Sequence, residues 1–333
     1  TIDPVRAGEI IGRFSDQRVV IVGDLMLDRY VYGTVTRISP EAPVPVVDVH
    51  GEGRQPGGAA NVALNVRSLG GQAGVIGVVG EDAAGEMLLE LLTANDVAVD
   101  GVVSSKAVQT TVKTRVMADR QQVVRVDRED APERVREAAR NAADRLAGAI
   151  DGASAVVIED YGKGIICQPV VDLVLGEASS RGIAVGLDPK DMHTLKLHSL
   201  RLATPNYKEA CDAAGYAPRN VADDLAAGGR LREVAARLTE AWDAALLIVT
   251  LGAHGMYVAP RGRPARHIGT HAQEVFDVSG AGDTVIAAAM LALAAGADEF
   301  EAAALANHAA GVVVGKTGTA TCGPDELLAG ISS

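Results

Sequence analysis

Short apolar runs punctuate the chain at residues 18–22, 74–79, 155–158, 183–187 and 245–250, the first holding four consecutive β-branched residues closed by Gly23 and Asp24. Runs this short and unbroken predict strands buried on both faces. Between them apolar positions recur at helical spacing over 59–69, 85–94, 132–150, 170–181 and 231–242, after an amphipathic start at 5–14. Strands alternating with helices predict an α/β fold, a mostly parallel central sheet with helices on both faces. Ligands gather beyond the carboxyl ends of such strands, where Asp24, Asp160, Asp188 and Thr250 emerge.

Two segments break the rhythm. Residues 44–49 and 110–127 follow a period of two with no helix between neighbouring strands, and the second predicts a hairpin turning at Asp119-Arg120 with Thr111, Lys113 and Arg115 on one face. They predict a small antiparallel β lid, formed by about 30–55 and 108–128, over the site of a single domain spanning 1–333. Its apolar face would invite a partner subunit.

The net charge of −12 argues against nucleic acid or an anionic membrane as a partner. An anionic substrate therefore needs a local cluster of Lys and Arg. Cys167, Cys211 and Cys322 lie far apart, which suits free thiols in a reducing compartment. With no signal-peptide core and no long apolar span, the expectation is a cytoplasmic protein.

Residues 277–284, Asp-Val-Ser-Gly-Ala-Gly-Asp-Thr, open an Ala-rich helical run over 285–295. Small residues before a helix let backbone N–H groups converge on an anion, helped by the helix dipole. Asp283, in the first turn, could take a proton from a hydroxyl while that cradle holds a phosphoryl group; it would serve equally as a helix-start residue. Residues 56–63, Pro-Gly-Gly-Ala-Ala-Asn-Val-Ala, are a second glycine-rich entry into a helix, with Asn61 able to donate and accept. Asp24 and Asp28 suit hydroxyl binding, Asn206 and Glu209 suit a magnesium-bound water or a helix cap, and Gly252 and Gly255 beside Thr250 could admit a nucleotide. Lys163 and Lys190 follow buried strands and could share one cleft. Gly311 to Lys316 imitates a P-loop, but only three residues separate its glycines and it follows helical sequence. Gly74, Gly77 and Gly80 lack the spacing of a dinucleotide turn, and no serine stands in a G-x-S-x-G elbow.

In this order the segments resemble the ribokinase-like sugar kinases of the phosphofructokinase-B type: 57–63 matches the family's first signature and 277–284 its second, D-x-x-G-A-G-D. The resemblance runs from about residue 18 to 328. Within the family the chain is similar to the bacterial heptose 7-phosphate kinases that feed ADP-heptose synthesis. That likeness rests on GDLMLDRY at 23–30, RISPEAPVPV at 37–46, PGGAANVA at 56–63, the lid pattern at 110–125, DYGKG at 160–164, DPK at 188–190 and ANHAAGVVVGK at 306–316.

The resemblance implies ATP-dependent phosphorylation of D-glycero-β-D-manno-heptose 7-phosphate at the anomeric hydroxyl, with Asp283 as base and Gly280, Ala281 and Gly282 as anion hole. It implies that Asp28, Gly57, Gly58 and Asn61 grip the sugar, with Asp160 in the same cleft. Asn206 and Glu209 would organise phosphate and Mg²⁺, the latter through water, while Thr250, Gly252, Gly255 and Asn307 would line the ATP site. A monovalent cation, K⁺, would lie near Asp277 and the loop 315–321, and the lid would join two subunits in a homodimer. Lys113, Arg115, Lys163 and Lys190 are the cations available to the phosphosugar's own phosphate. Ser279 replaces the usual Thr, Glu159 stands where heptose kinases commonly have Ser, and Asp191 stands where Gly is usual. Those acids leave room for the alternative, a PfkB-type kinase of another sugar, sugar phosphate or nucleoside. A nucleotide or sugar sensor without turnover fits the intact Asp283 and its glycines less well. Without an H-x-G-H nucleotidyltransferase module, the expectation is a stand-alone kinase.

Overall fold

The computed structural model describes residues 2–119, 121–190, 195–227, 229–271, 276–316 and 318–332. Its strands are β1 (Arg18–Gly23), β2 (Leu25–Ile38), β3 (Pro45–Gly58), β4 (Gln72–Gly80), β5 (Val97–Ser105), β6 (Thr111–Ala118), β7 (Gln121–Arg128), β8 (Ala155–Glu159), β9 (Ala184–Asp188), β10 (Leu202–Ala203), β11 (Leu246–Thr250), β12 (Met256–Pro260) and β13 (Arg266–Ile268). Among the described residues nine of them form one sheet in the order β13-β12-β11-β10-β9-β8-β1-β4-β5. It is parallel from β11 to β5, and β12 and β13 add an antiparallel edge. The apolar runs account for its middle: β1 and β8 are buried almost throughout because helices cover both faces.

One face packs against helices Ala59–Ser68, Ala281–Ala294 and Glu299–Val314. The other packs against Pro132–Ala149, Gln168–Arg181 and Arg230–Ala241. The P-loop lookalike closes the Glu299–Val314 helix, as its helical context implied. The two antiparallel edge strands escaped the sequence reading because each is short and one is mostly exposed.

The second sheet runs β3-β2-β6-β7. Its outer pairings are antiparallel, while the central β2–β6 pairing is parallel, so the lid is less uniformly antiparallel than its sequence suggests. Asp28 lies inside β2. This strand is buried where it leaves the main sheet and exposed at its far end, which carries the lid outward. Asp119 turns the hairpin with φ 55, and its neighbour Arg120 lies outside the described residues.

The parallel register brings the strand ends together. Gly23 pairs with Glu159, and Glu159 with Asp188, so Asp24, Asp160 and Asp188 follow one another along one edge. No described helix is long and apolar enough to cross a membrane.

Candidate active site

The Ala281–Ala294 helix starts at Gly280, whose left-handed backbone (φ 78) favours glycine. A Cβ there would stand 2.8 Å from Asn61 Nδ2. The first-turn N–H groups of such a helix have no partner within it; here the Ala281 N–H donates to the Val278 carbonyl at 3.3 Å. Asp283 is buried in this turn. Its Oδ2 accepts from Asn61 Nδ2 at 2.6 Å and its Oδ1 from the Tyr161 hydroxyl at 2.7 Å. Burial raises the Asp283 carboxyl above the usual range, partly offset by these two donors. Asn61 is itself braced: Asn65 Nδ2 donates to the Asn61 carbonyl, and Thr284 Oγ1 donates to Asn65 Oδ1 at 2.8 Å. Asn65 one turn after Asn61, a second amide on an otherwise apolar helical stretch, was the available signal for this network.

Below Asp283 lie Glu159 and Asp188, the three offering carboxylate oxygens within 4.8 Å of one another. Thr204 Oγ1 donates to Asp188 Oδ1 at 2.7 Å. Burial, with the neighbouring Asp188 and Asp283, pushes the Glu159 carboxyl well above the carboxylate range, and neither of its oxygens has a hydrogen-bond partner among the described residues. Burial, opposed by the Thr204 hydroxyl but reinforced by Asp283 and Glu209, pushes Asp188 up to about 8. The departure at Glu159 therefore places a carboxyl under Asp283. Asp191 lies outside the described residues.

Asp24 does not face a sugar. It is 1% exposed and accepts the backbone N–H groups of Tyr161 (2.9 Å), Lys163 (3.0 Å) and Ile165 (3.0 Å). Burial raises it, against the pull of these amides. Asp24 thus shapes the loop that carries Tyr161 and Lys163, while Asp160 Oδ1 accepts from Gly162 N within the same loop.

The four basic candidates divide. Lys113, on β6, lies 5.7 Å from the centroid of the Tyr161 ring, and burial followed by the charge of Lys163 lowers its pKa. Lys163 Nζ meets exposed Glu129 at 2.6 Å. Arg115 is committed to Asp28 at 2.8 Å, and Gly57 packs so closely that a Cβ there would stand 2.8 Å from Asp28 Oδ2. Gly58 (φ 58) admits no side chain either, since its Cβ would stand 2.5 Å from the Asp24 carbonyl. Lys190 joins none of these; its ammonium meets Glu209 Oε1 at 3.1 Å.

Asn206 caps the Tyr207–Ala213 helix reciprocally with Glu209: each side chain accepts the other's backbone N–H at 3.0 Å. The cap takes Glu209 Oε2 and Asn206 Oδ1, and Lys190 meets Glu209 Oε1, so a water-held ion would share these oxygens with donors already in place. On the other side of the helix mouth a cavity of about 210 Å³ is lined by Thr250, Gly252, Gly255 and Asn307 together with Ala281 and Gly282. Its walls are mostly apolar, which suits a nucleotide base; Asn307 Nδ2 donates to the Gly269 carbonyl at 2.6 Å. Asp277 accepts from Ser279 N and Gly318 N, which outweigh burial and hold its carboxyl below the usual range. Thr317, in the loop expected near a cation, lies outside the described residues.

The profile of the pfkB family carbohydrate kinases matches residues 16–326. The chain is 42% identical over 309 residues to the bifunctional protein HldE of Geobacter sulfurreducens, covering 93% of this chain and 62% of the relative. It is 46% identical over 318 residues to HldE of Halorhodospira halophila, covering 96% and 64%. The chain thus spans less than two thirds of the length of these curated relatives. Escherichia coli phosphofructokinase-2 in complex with substrates and products superposes with a TM-score of 0.75 at 21% identity, covering 95% of this chain and 100% of that one. Arabidopsis thaliana ribokinase complexed with ribose and ATP gives 0.72 at 20%, covering 95% and 99%. At that identity these two structures speak for the fold alone.

Proposed function

The chain belongs to the pfkB family of carbohydrate kinases, and on that premise we propose that it phosphorylates D-glycero-β-D-manno-heptose 7-phosphate at the anomeric hydroxyl with ATP, giving the 1,7-bisphosphate for ADP-heptose synthesis. The observation that carries this reading is the placement of Lys113 over the ring of Tyr161, whose hydroxyl reaches Asp283, with the charge of Lys163 close enough to act on Lys113. A site with a base at one end and two lysines at the other suits a sugar that already bears a phosphate. The similarity to the HldE proteins supports the same acceptor.

In this mechanism Asp283 accepts the proton of the acceptor hydroxyl as the oxygen attacks the terminal phosphorus of ATP. The new O–P bond forms as the bond to the ADP oxygen breaks, and the N–H groups at Gly280, Ala281 and Gly282 take up the charge on the phosphoryl oxygens. Asp28, Gly57, Gly58, Asn61 and Asp160 surround the sugar, and Thr250, Gly252, Gly255 and Asn307 line the nucleotide cavity. The all-oxygen donors of Asn206 and Glu209 fit Mg²⁺ held through water, which when bound neutralises phosphate charge. Lys190, beside Glu209, serves the phosphates of ATP better than that of the sugar. Asp277, held charged, fits K⁺.

The same reading makes 1–333 one ribokinase-like domain whose lid covers the sugar. Val44, Val49, Val124 and Val126 are exposed on that lid and support a homodimer through it.

The test is a coupled ADP-release assay over a panel of sugars, sugar phosphates and nucleosides. Turnover of heptose 7-phosphate is expected. Turnover of a pentose or nucleoside with heptose 7-phosphate inert would overturn the acceptor, and no turnover of any acceptor would overturn the kinase reading.

A further inference from the structure

We propose that Tyr161 is a positioning residue for the transfer: its hydroxyl orients Asp283 and its ring seats the Lys113 ammonium, so one side chain sets the span between base and phosphate-binding cation. The inference rests on the kinase reading above and assigns a role that neither glycine-rich signature contains.

Three observations carry it. The Tyr161 hydroxyl donates to Asp283 Oδ1 at 2.7 Å, while Asn61 occupies Oδ2, so the carboxylate cannot rotate without breaking both bonds. The other part of the same side chain lies under Lys113, 5.7 Å from ammonium to ring centroid, and no carboxylate among the described residues forms an ion pair with Lys113. A half-buried ammonium over an aromatic face is held without being neutralised, and so remains available to an incoming phosphate. The backbone of Tyr161 is fixed as well: Asp24 takes its N–H and those of Lys163 and Ile165. Tyr161 and Lys163 therefore move together or not at all.

The donor also bears on proton affinity. Asp283 faces Asn61 from its helix, Asp28 from β2, Glu159 from β8, Asp188 from β9 and Tyr161 from the loop. Of these only Asn61 and Tyr161 donate to it. Removing a donor that favours the charged carboxylate raises its pKa.

Tyr161→Phe keeps the ring and loses the hydroxyl; Tyr161→Leu loses both. With Tyr161→Phe, kcat is expected to fall roughly ten- to hundredfold, the cost of one hydrogen bond to a charged group. KM for the sugar phosphate should stay unchanged, and the acid limb of kcat/KM should move to higher pH. Tyr161→Leu should lose the same kcat and in addition raise KM for the sugar phosphate, leaving KM for ATP alone. Native kcat in Tyr161→Phe, or a change confined to KM, would overturn the role of the hydroxyl. Identical constants in the two variants would overturn the role of the ring. All constants are taken with whichever sugar phosphate the native enzyme accepts. An incorrect acceptor then shows in the native enzyme, and an incorrect role for Tyr161 shows only in the variants.

Discussion

Asp28 on β2 and Arg115 on β6 meet at 2.8 Å, two residues out of the parallel register that sets Asp28 opposite Lys113 and Tyr30 opposite Arg115. The Arg115 guanidinium also lies 5.4 Å from the centroid of the Tyr30 ring. The pair is largely covered, with the Arg115 side chain 17% and the Asp28 side chain 5% exposed. Removing the cation would leave a carboxylate buried against Gly57 without its ion-pair partner. Arg115→Met is therefore expected to cost on the order of 3 kcal/mol of stability, read from urea denaturation. Adding Asp28→Asn should restore much of it. A single variant as stable as the native protein would contradict the pairing.

Asp283→Asn keeps the shape of the helix mouth and removes the proton acceptor. A fall in kcat of roughly 10²–10⁴-fold is expected, the range for general-base catalysis. The nucleotide cavity is lined by other residues, so ATP affinity measured by calorimetric titration should persist. Turnover near the native rate would remove Asp283 from the chemistry.

The buried acids predict how stability depends on pH. Glu159 is raised well above its ordinary value and Asp188 up to about 8, so the folded protein holds protons that the unfolded chain has already released. Both contributions are fully present below the unfolded carboxyl range near 4; that of Asp188 is lost as pH rises through about 8 and that of Glu159 as pH rises through its own raised value. Melting temperature should fall as pH rises from about 4 through about 8. Glu159→Gln removes one proton-demanding group and should flatten that fall, measured by calorimetry from pH 5 to 9. An unchanged slope would show that this carboxyl does not hold its proton in the fold.

Lys113 and Lys163 are expected to bind the acceptor's phosphate. Lys113→Met or Lys163→Met should raise KM for the sugar phosphate by roughly tenfold or more, the loss of one charge-assisted bond. The kcat value and KM for ATP should hold. Steady-state kinetics with both substrates varied separates these cases. A rise in KM for ATP instead would move the two lysines to the nucleotide side.

Glu159 illustrates how position alters the meaning of a residue. In sequence it is an extra acid close to a phosphate-binding motif, a reason to doubt a phosphosugar. In the fold it is the last residue of β8, under Asp283 and away from solvent, where burial and the neighbouring acids raise its carboxyl and favour the neutral form. Lys190 illustrates the reverse: three residues of DPK suggested a substrate cation, and the chain delivers it to Glu209.

The antiparallel edge strands were not legible in the sequence, whereas the alternation of the central strands with helices, the two glycine-rich helix entries and the acid in the first turn of the second were. Each is a local matter, set by apolar periodicity or by the need for a residue without a side chain. What donates to Asp283 was not legible, because Tyr161 and Asn61 stand 122 and 222 residues away along the chain. The length of β2 was hidden too, since its polar far half gains strand structure from β3 and β6 rather than from its own pattern. Asp24 and Asp28 look alike four residues apart, yet one binds loop amides and the other an arginine. A carboxylate's role depends on which donors the packed elements bring within about 3 Å, and only the tertiary structure decides that.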